Sequence, residues 1–236
     1  MENLMWLAVD YHMPMTYSCR KPLNSPYSAQ ILPAPGPTTV RLALIREAIE
    51  LFGLVQTKRH IYPILKTTPI HIRPPKAIGI STHHLRMYKP DSRQALGETI
   101  GYREYAHSSD PITIYALIPK NLSSLFSELF DAIGYWGQAD SFATCTRIYE
   151  SEPDAGDIIH PLNEAPITNR GLKQVFTAFV TEWDLQNVTW GMFTGEKSGN
   201  FFQTRVYVYP LFICEHHSRA NRLLYRSLES NSESVQ

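Results

Sequence analysis

Residues 31–53 read Ile-Leu-Pro-Ala-Pro-Gly-Pro-Thr-Thr-Val-Arg-Leu-Ala-Leu-Ile-Arg-Glu-Ala-Ile-Glu-Leu-Phe-Gly. Prolines 33, 35 and 37 favour extended backbone and disfavour helix just before them. The helix therefore starts after the ramp, with Thr38 or Thr39 placed to cap its first amides and Gly53 suited to stop it. Val40, Leu44, Ala48 and Leu51 line one side, with Ile45 and Phe52 beside them. Bare amides at such a helix start favour an anion. Arg41 falls on the apolar side in the first turn, where a cation opposes the helix dipole unless an anion sits there. Just upstream, Arg20-Lys21-Pro22-Leu23 adds a basic pair.

Working outward, Leu4–Val9 reads as a buried strand, and Pro69–Arg73 alternates as a strand that carries Arg73. Ile112–Ile118 is a strand entered through the turn at Ser108–Pro111. Asn121 is placed to cap a helix over Leu122–Ile133, which Gly134 ends. Phe142–Tyr149 is a further strand. The order strand, helix, strand, strand, helix, strand is the βαββαβ pattern, so the expected fold is α+β and ferredoxin-like (RRM-like). It would occupy residues 1–149, with an insertion at about 74–107 between its second and third strands. Thr99–Tyr105 would supply one arm of an extended hairpin there. Acidic, proline-spaced residues 150–168 read as a linker. Residues 169–228 read as a small β-rich lobe with strands at Val175–Val180 and Phe201–Ile213, a turn at Gly191–Gly199 and a short final helix near Arg219–Leu228. Residues 229–236 read as a disordered tail.

The 236-residue chain is formally neutral but unevenly charged. Residues 1–103 hold 13 Lys and Arg against 6 Asp and Glu, whereas residues 104–184 hold 4 against 12. Between 55 and 93 stand 8 basic residues, four histidines and one acid, Asp91. This division suggests an anionic polymer at the basic part and a protein neighbour at the acidic part. The insertion interleaves Lys76, His83, His84, Arg86, Met87, Tyr88, Lys89 and Arg93. Cations hold phosphates and flat or apolar groups meet bases, the mixture that single-stranded RNA recognition uses. A solvated surface excursion is the plainer alternative.

Other chemistry is weakly signalled. Cys19, Cys145 and Cys214 are far apart and form no redox or metal pair. The pairs His83-His84 and His216-His217 point to opposite strand faces, so no metal and no other cofactor is expected. Gly191–Gly199 lacks the order of a nucleotide-binding phosphate loop. His107 and Lys120 with Tyr102 or Tyr105 could in principle form a metal-independent RNA-cleaving set, though no spacing selects them. No apolar run approaches the ~20 residues of a membrane helix. The opening Met1-Glu2-Asn3-Leu4 shows no secretory signal, so a cytoplasmic setting is expected.

Lys21-Pro22-Leu23, then Pro33-x-Pro35-x-Pro37-Thr38-Thr39-Val40 and Ala43-Leu44, resembles the N-terminal signature of the Cas-five family. These are RAMP-superfamily subunits of class 1, type I CRISPR surveillance complexes (Cascade). The family pattern often has Gly before Ala-Leu, where this chain has Leu42. The resemblance implies a non-catalytic, RNA-binding subunit that caps the 5′ handle of CRISPR RNA. It implies contact with the backbone Cas-seven subunit, with the large subunit, and with target DNA near the first spacer segment. Residues 74–107 would be the family's thumb. Arg20, Lys21, Thr38, Thr39, Arg41, Arg73 and the basic insertion would then meet RNA. Two alternatives remain: an endoribonuclease that processes precursor CRISPR RNA, and an interaction scaffold that touches no RNA.

Overall fold

A computed structural model describes residues 3–22, 28–90, 96–139, 141–165, 175–196, 199–217 and 222–227. The chain is mixed α/β, with antiparallel sheets and few helices. In order it forms β1 (Leu4–His12), β2 (Cys19–Arg20), β3 (Ser28–Ala29), β4 (Ile31–Leu32), α1 (Pro37–Gln56), a π-helical turn (Thr57–Ile61), α2 (Tyr62–Thr67) and β5 (Ile70–Arg73). Next come β6 (Ala77–Pro90), β7 (Leu96–His107), β8 (Ile112–Pro119), a 3-10 turn (Lys120–Leu122), α3 (Ser123–Asp131) and β9 (Thr144–Glu150). The second half adds β10 (His160–Pro161), β11 (Val175–Trp183), α4 (Gly191–Thr194), β12 (Phe202–His217) and β13 (Arg222–Ser227).

The first sheet has four strands in the order β5-β8-β1-β9, each pair antiparallel. Period-two alternation splits β1 between two faces. Leu7, Val9 and Tyr11 join the main core with Val40, Leu44 and Ala48 of α1 and Phe126, Leu129 and Phe130 of α3. Tyr11 donates its hydroxyl to the Phe130 carbonyl at 2.5 Å, which fixes α3 on the sheet. On the opposite face Ala8 and Tyr115 pack on Ile158 from the segment after β9.

The second sheet has seven strands, β10-β12-β13-β6-β7-β3, with β11 also paired to β12. The hairpin β6–β7 thus departs from the first sheet between β5 and β8 and becomes part of the sheet built by the C-terminal strands. Its root is clamped. The Ala77 amide donates to Asp110 Oδ2 at 3.1 Å, and the Ser108 hydroxyl donates to the Ala77 carbonyl at 2.7 Å. Tyr17 and Ala106 exchange both backbone hydrogen bonds.

Several local expectations are corrected. Gly53 takes φ 77, ψ 163 but does not end the helical run, which resumes through Gln56, the π-helical turn and α2. Neither Thr38 nor Thr39 caps α1: Gly36 is the N-cap, Pro37 opens the helix, and no side chain bonds to the end. Residues 222–227 form β13 between β12 and β6 instead of a helix, because pairing on both edges outweighs local preference. Gly191–Thr194 is a helical turn closed by left-handed Gly195 (φ 72), inside the connection between the antiparallel partners β11 and β12. The expected tail at 229–236 and the end of the linker at 166–168 lie outside the described residues.

Candidate nucleic-acid interface

The ramp does not offer its helix mouth to solvent. Residues 31–38 are all buried. A Cβ on Gly36 would lie 2.7 Å from Val180 Cγ1, so β11 closes directly over the start of α1. The Thr38 hydroxyl is buried without a hydrogen-bond partner among the described residues, and Thr39 is half-buried. The anion expected at this helix start is therefore replaced by packing from the C-terminal strands.

Arg41 is likewise spent inside the protein. Its Nε donates to the Leu65 carbonyl at 3.2 Å and an Nη to the Thr68 carbonyl at 2.7 Å. These are open carbonyls at the end of α2, so the cation sits where a helix C-terminus favours one. Its guanidinium also lies 5.7 Å from the Trp183 ring centroid. Burial lowers its pKa from the usual arginine value, with Glu182 opposing. Arg73 donates to Thr113 Oγ1 at 2.9 Å and lies 4.0 Å from Asp10 Oδ1. Lys21 reaches Gln30 Oε1 at 3.3 Å and lies 5.1 Å from the Phe176 ring centroid. Arg41, Arg73 and Lys21 thus hold the protein together, and an RNA role for them is not what this geometry favours. Arg20 is exposed on β2.

The hairpin is different. Beyond Ser81, the last β6 residue paired with β13, the described part of β6 pairs only with β7. β3 still flanks β7 at Tyr102 and Arg103, so the two-stranded ribbon runs from Leu85 to Pro90, five steps or about 17 Å. One face of its base carries Ser81, His83, Arg103, Tyr105 and His107. His83 stands opposite Arg103 in register. The His83 and Tyr105 rings meet edge-on at 5.4 Å, and Ser81 Oγ lies 3.1 Å from His83 Nε2. Arg103 Nε is buried with no partner among the described residues. The other face carries His84, Arg86, Ile100 and Tyr102, with the His84 and Tyr102 rings 4.5 Å apart. Ile100 and Tyr102 are exposed.

Strand alternation separates His83 from His84, and register gives each a tyrosine partner. Met87, Tyr88 and Lys89 lie further out, opposite Thr99, Glu98 and Gly97. Lys76 is exposed at the root. Arg93 lies outside the described residues. Arg103 and Tyr105 were not among the expected RNA contacts. Their alternation with Glu104 was the available signal, but only register pairs them with His83.

The cleavage set does not assemble. His107 and Tyr105 share a face, whereas Tyr102 points the other way. Lys120 follows the far end of β8, whose eight residues put it roughly 25 Å from the hairpin root. Among the described residues no three His, Cys, Asp or Glu side chains group to hold a metal. No described helix is long and apolar enough to cross a membrane.

No family model matches the chain. It is 26% identical over 142 residues to the CRISPR-associated protein Cas5 of Archaeoglobus fulgidus. The match spans 58% of this chain and 61% of that relative. Among solved structures, it is similar to a CRISPR protein from the same organism, with 13% identity and a TM-score of 0.46 over 95% of this chain and 92% of the other. It is also similar to a chain of a CRISPR RNA-guided surveillance complex, with 8% identity and a TM-score of 0.35 over 87% and 88%. The chain thus shares sequence similarity with a CRISPR-associated protein over part of its length. The relative it resembles is a Cas5 protein, of the family whose proline-threonine signature the chain resembles.

Proposed function

We propose that this chain is a non-catalytic RNA-binding subunit of a multi-subunit, RNA-guided DNA-targeting complex, in which it caps the 5′ handle of CRISPR RNA. The observation that carries this reading is the β6–β7 hairpin, a projection whose base bears a cation and a His–Tyr pair on each face. Cations near flat rings suit a single strand, whose phosphates and bases they meet separately. We read the four-stranded sheet with α1 and α3 as a ferredoxin-like domain, residues 74–107 as its thumb, and the C-terminal strands as the lobe that braces the thumb. Arg20, Lys76, His83, His84, Arg86, Met87, Tyr88, Lys89 and Arg93, with Arg103 and Tyr105 added, form the RNA surface. The backbone Cas-seven subunit, the large subunit and target DNA near the first spacer segment are the neighbours of such a subunit, and the cytoplasm is its setting.

Filter binding of a guide RNA across a salt series tests this. Affinity should fall steeply with salt, since released counterions drive phosphate binding. Reversing Lys76, Arg86 and Lys89 to Glu should weaken binding at least tenfold. His83→Ala with Tyr105→Ala should cost about 1–3 kcal/mol if a base stacks there. Affinity unchanged in both variants would overturn the assignment of the ribbon. Chelator-resistant cutting of precursor RNA by the chain would overturn its non-catalytic part.

A further inference from the structure

We propose that the elbow after α1, residues 51–60, is a docking surface for a protein partner that presents apolar side chains beside carboxylates. The proposal rests on the reading of the chain as a subunit of a complex. Leu51, Leu54 and Val55 are 46%, 46% and 58% exposed. Lone exposed aliphatic residues are ordinary, but three within five positions on one elbow mark a candidate interface.

The elbow is built, not frayed. At Gly53 the backbone turns through φ 77 and ψ 163, and a Cβ there would meet nothing within 4 Å. Thr57 then spans the break: its hydroxyl donates to the Gly53 carbonyl at 2.9 Å and its amide reaches the Gly53 and Leu54 carbonyls. Thr57 and Ile61 are buried, so the segment is anchored from beneath while its outer side stays open. A fixed shape lowers the ordering cost of association.

Charge identifies the occupant. Lys58, Arg59 and His60 follow directly and are all exposed. The sequence has no acid between Glu50 and Asp91. An apolar centre flanked by cations complements an apolar centre flanked by carboxylates. A nucleic acid fits less well, because Leu and Val at the centre give bases nothing to stack on and His60 is the one exposed ring on the elbow, Phe52 being half-buried and Tyr62 beyond it buried.

The test uses the complex made by co-expressing the chain with the other subunits of its own CRISPR locus and a guide RNA. A carbodiimide joins a lysine amine to a carboxylate only in direct contact. Peptides containing Lys58 should appear coupled to an acidic peptide of a partner subunit. L54E with V55E, and separately K58E with R59E, should lower retention in the complex at least tenfold while the chain alone binds guide RNA as before. Uncoupled Lys58 together with normal assembly of both variants overturns the proposal. A tenfold loss of RNA affinity with assembly intact overturns it in favour of an RNA contact. Coupling at Lys58 by a chain that binds no RNA upholds the elbow and removes the RNA-binding function instead.

Discussion

Glu104 of β7 accepts a hydrogen bond from the backbone amide of Ile31 at 3.1 Å, across 73 residues of chain. Ile31 is 1% exposed, so this amide has no water to turn to. The bond joins the proline ramp to the root of the ribbon. The Ser18 hydroxyl, which donates to the Glu104 carbonyl at 3.3 Å, strengthens the same junction. Glu104→Ala should destabilise the protein by about 1–3 kcal/mol, the cost of a buried donor left unmet. Glu104→Gln keeps an acceptor oxygen and should lose much less. Urea unfolding of the two variants measures the difference.

Gly36 and Val180 make the contact between α1 and the C-terminal strands. Gly36→Ala places a methyl 2.7 Å from Val180 Cγ1, and the branched valine, 1% exposed, has little room to turn. Overpacking of this kind costs about 1–3 kcal/mol. Val180→Ala in the same chain should return part of that loss, although alone it leaves a small cavity. A double-mutant cycle by thermal unfolding checks this, with a favourable coupling as the expected outcome.

Arg41→Gln should lower stability without changing RNA affinity. The substitution removes a charged donor from the Leu65 and Thr68 carbonyls at the end of α2. A charge-assisted bond contributes about 1.5–3 kcal/mol. Filter binding at fixed salt should match the parent within twofold. A tenfold loss would return Arg41 to the RNA surface.

His71 makes stability depend on pH. Its ring lies 5.1 Å from Trp6, and burial lowers its pKa from the usual imidazole value, with His160 adding to the shift and Glu164 opposing. The folded state therefore binds the proton more weakly than the unfolded state. The contribution is fully present above the unfolded pKa, about 6.5, and is lost as pH falls through that value toward the lower folded one. Urea midpoints measured from pH 8 to pH 5 should decline, and His71→Gln should flatten the decline.

Local pattern was enough for β5, α1 and α3, whose apolar residues recur at one period, and for β1 and β8, which are short and almost wholly apolar. It failed where long-range partners decide. Residues 222–227, Arg-Leu-Leu-Tyr-Arg-Ser, suit a helix locally and become a strand because β6 and β12 flank them. Arg41 looked like an anion ligand because its true partners lie 24 and 27 residues away on a helix that the sequence reading did not contain. Gly53 was read as a stop, but its left-handed turn lets the chain bend and continue. On the ribbon, the cations, the rings and the split of His83 from His84 were legible, while the cross-strand partner of each was not. That pairing needs the register of β6 against β7.

The brace of β13 on β6 sets an order of manufacture. A ribosome delivers residues 77–107 more than a hundred positions before residues 222–227, so the grip is born with one flank unsupported. A nascent or truncated chain lacking that late strand would carry a looser tool. The base of the hairpin thus waits for a flank that is synthesised more than a hundred residues after it.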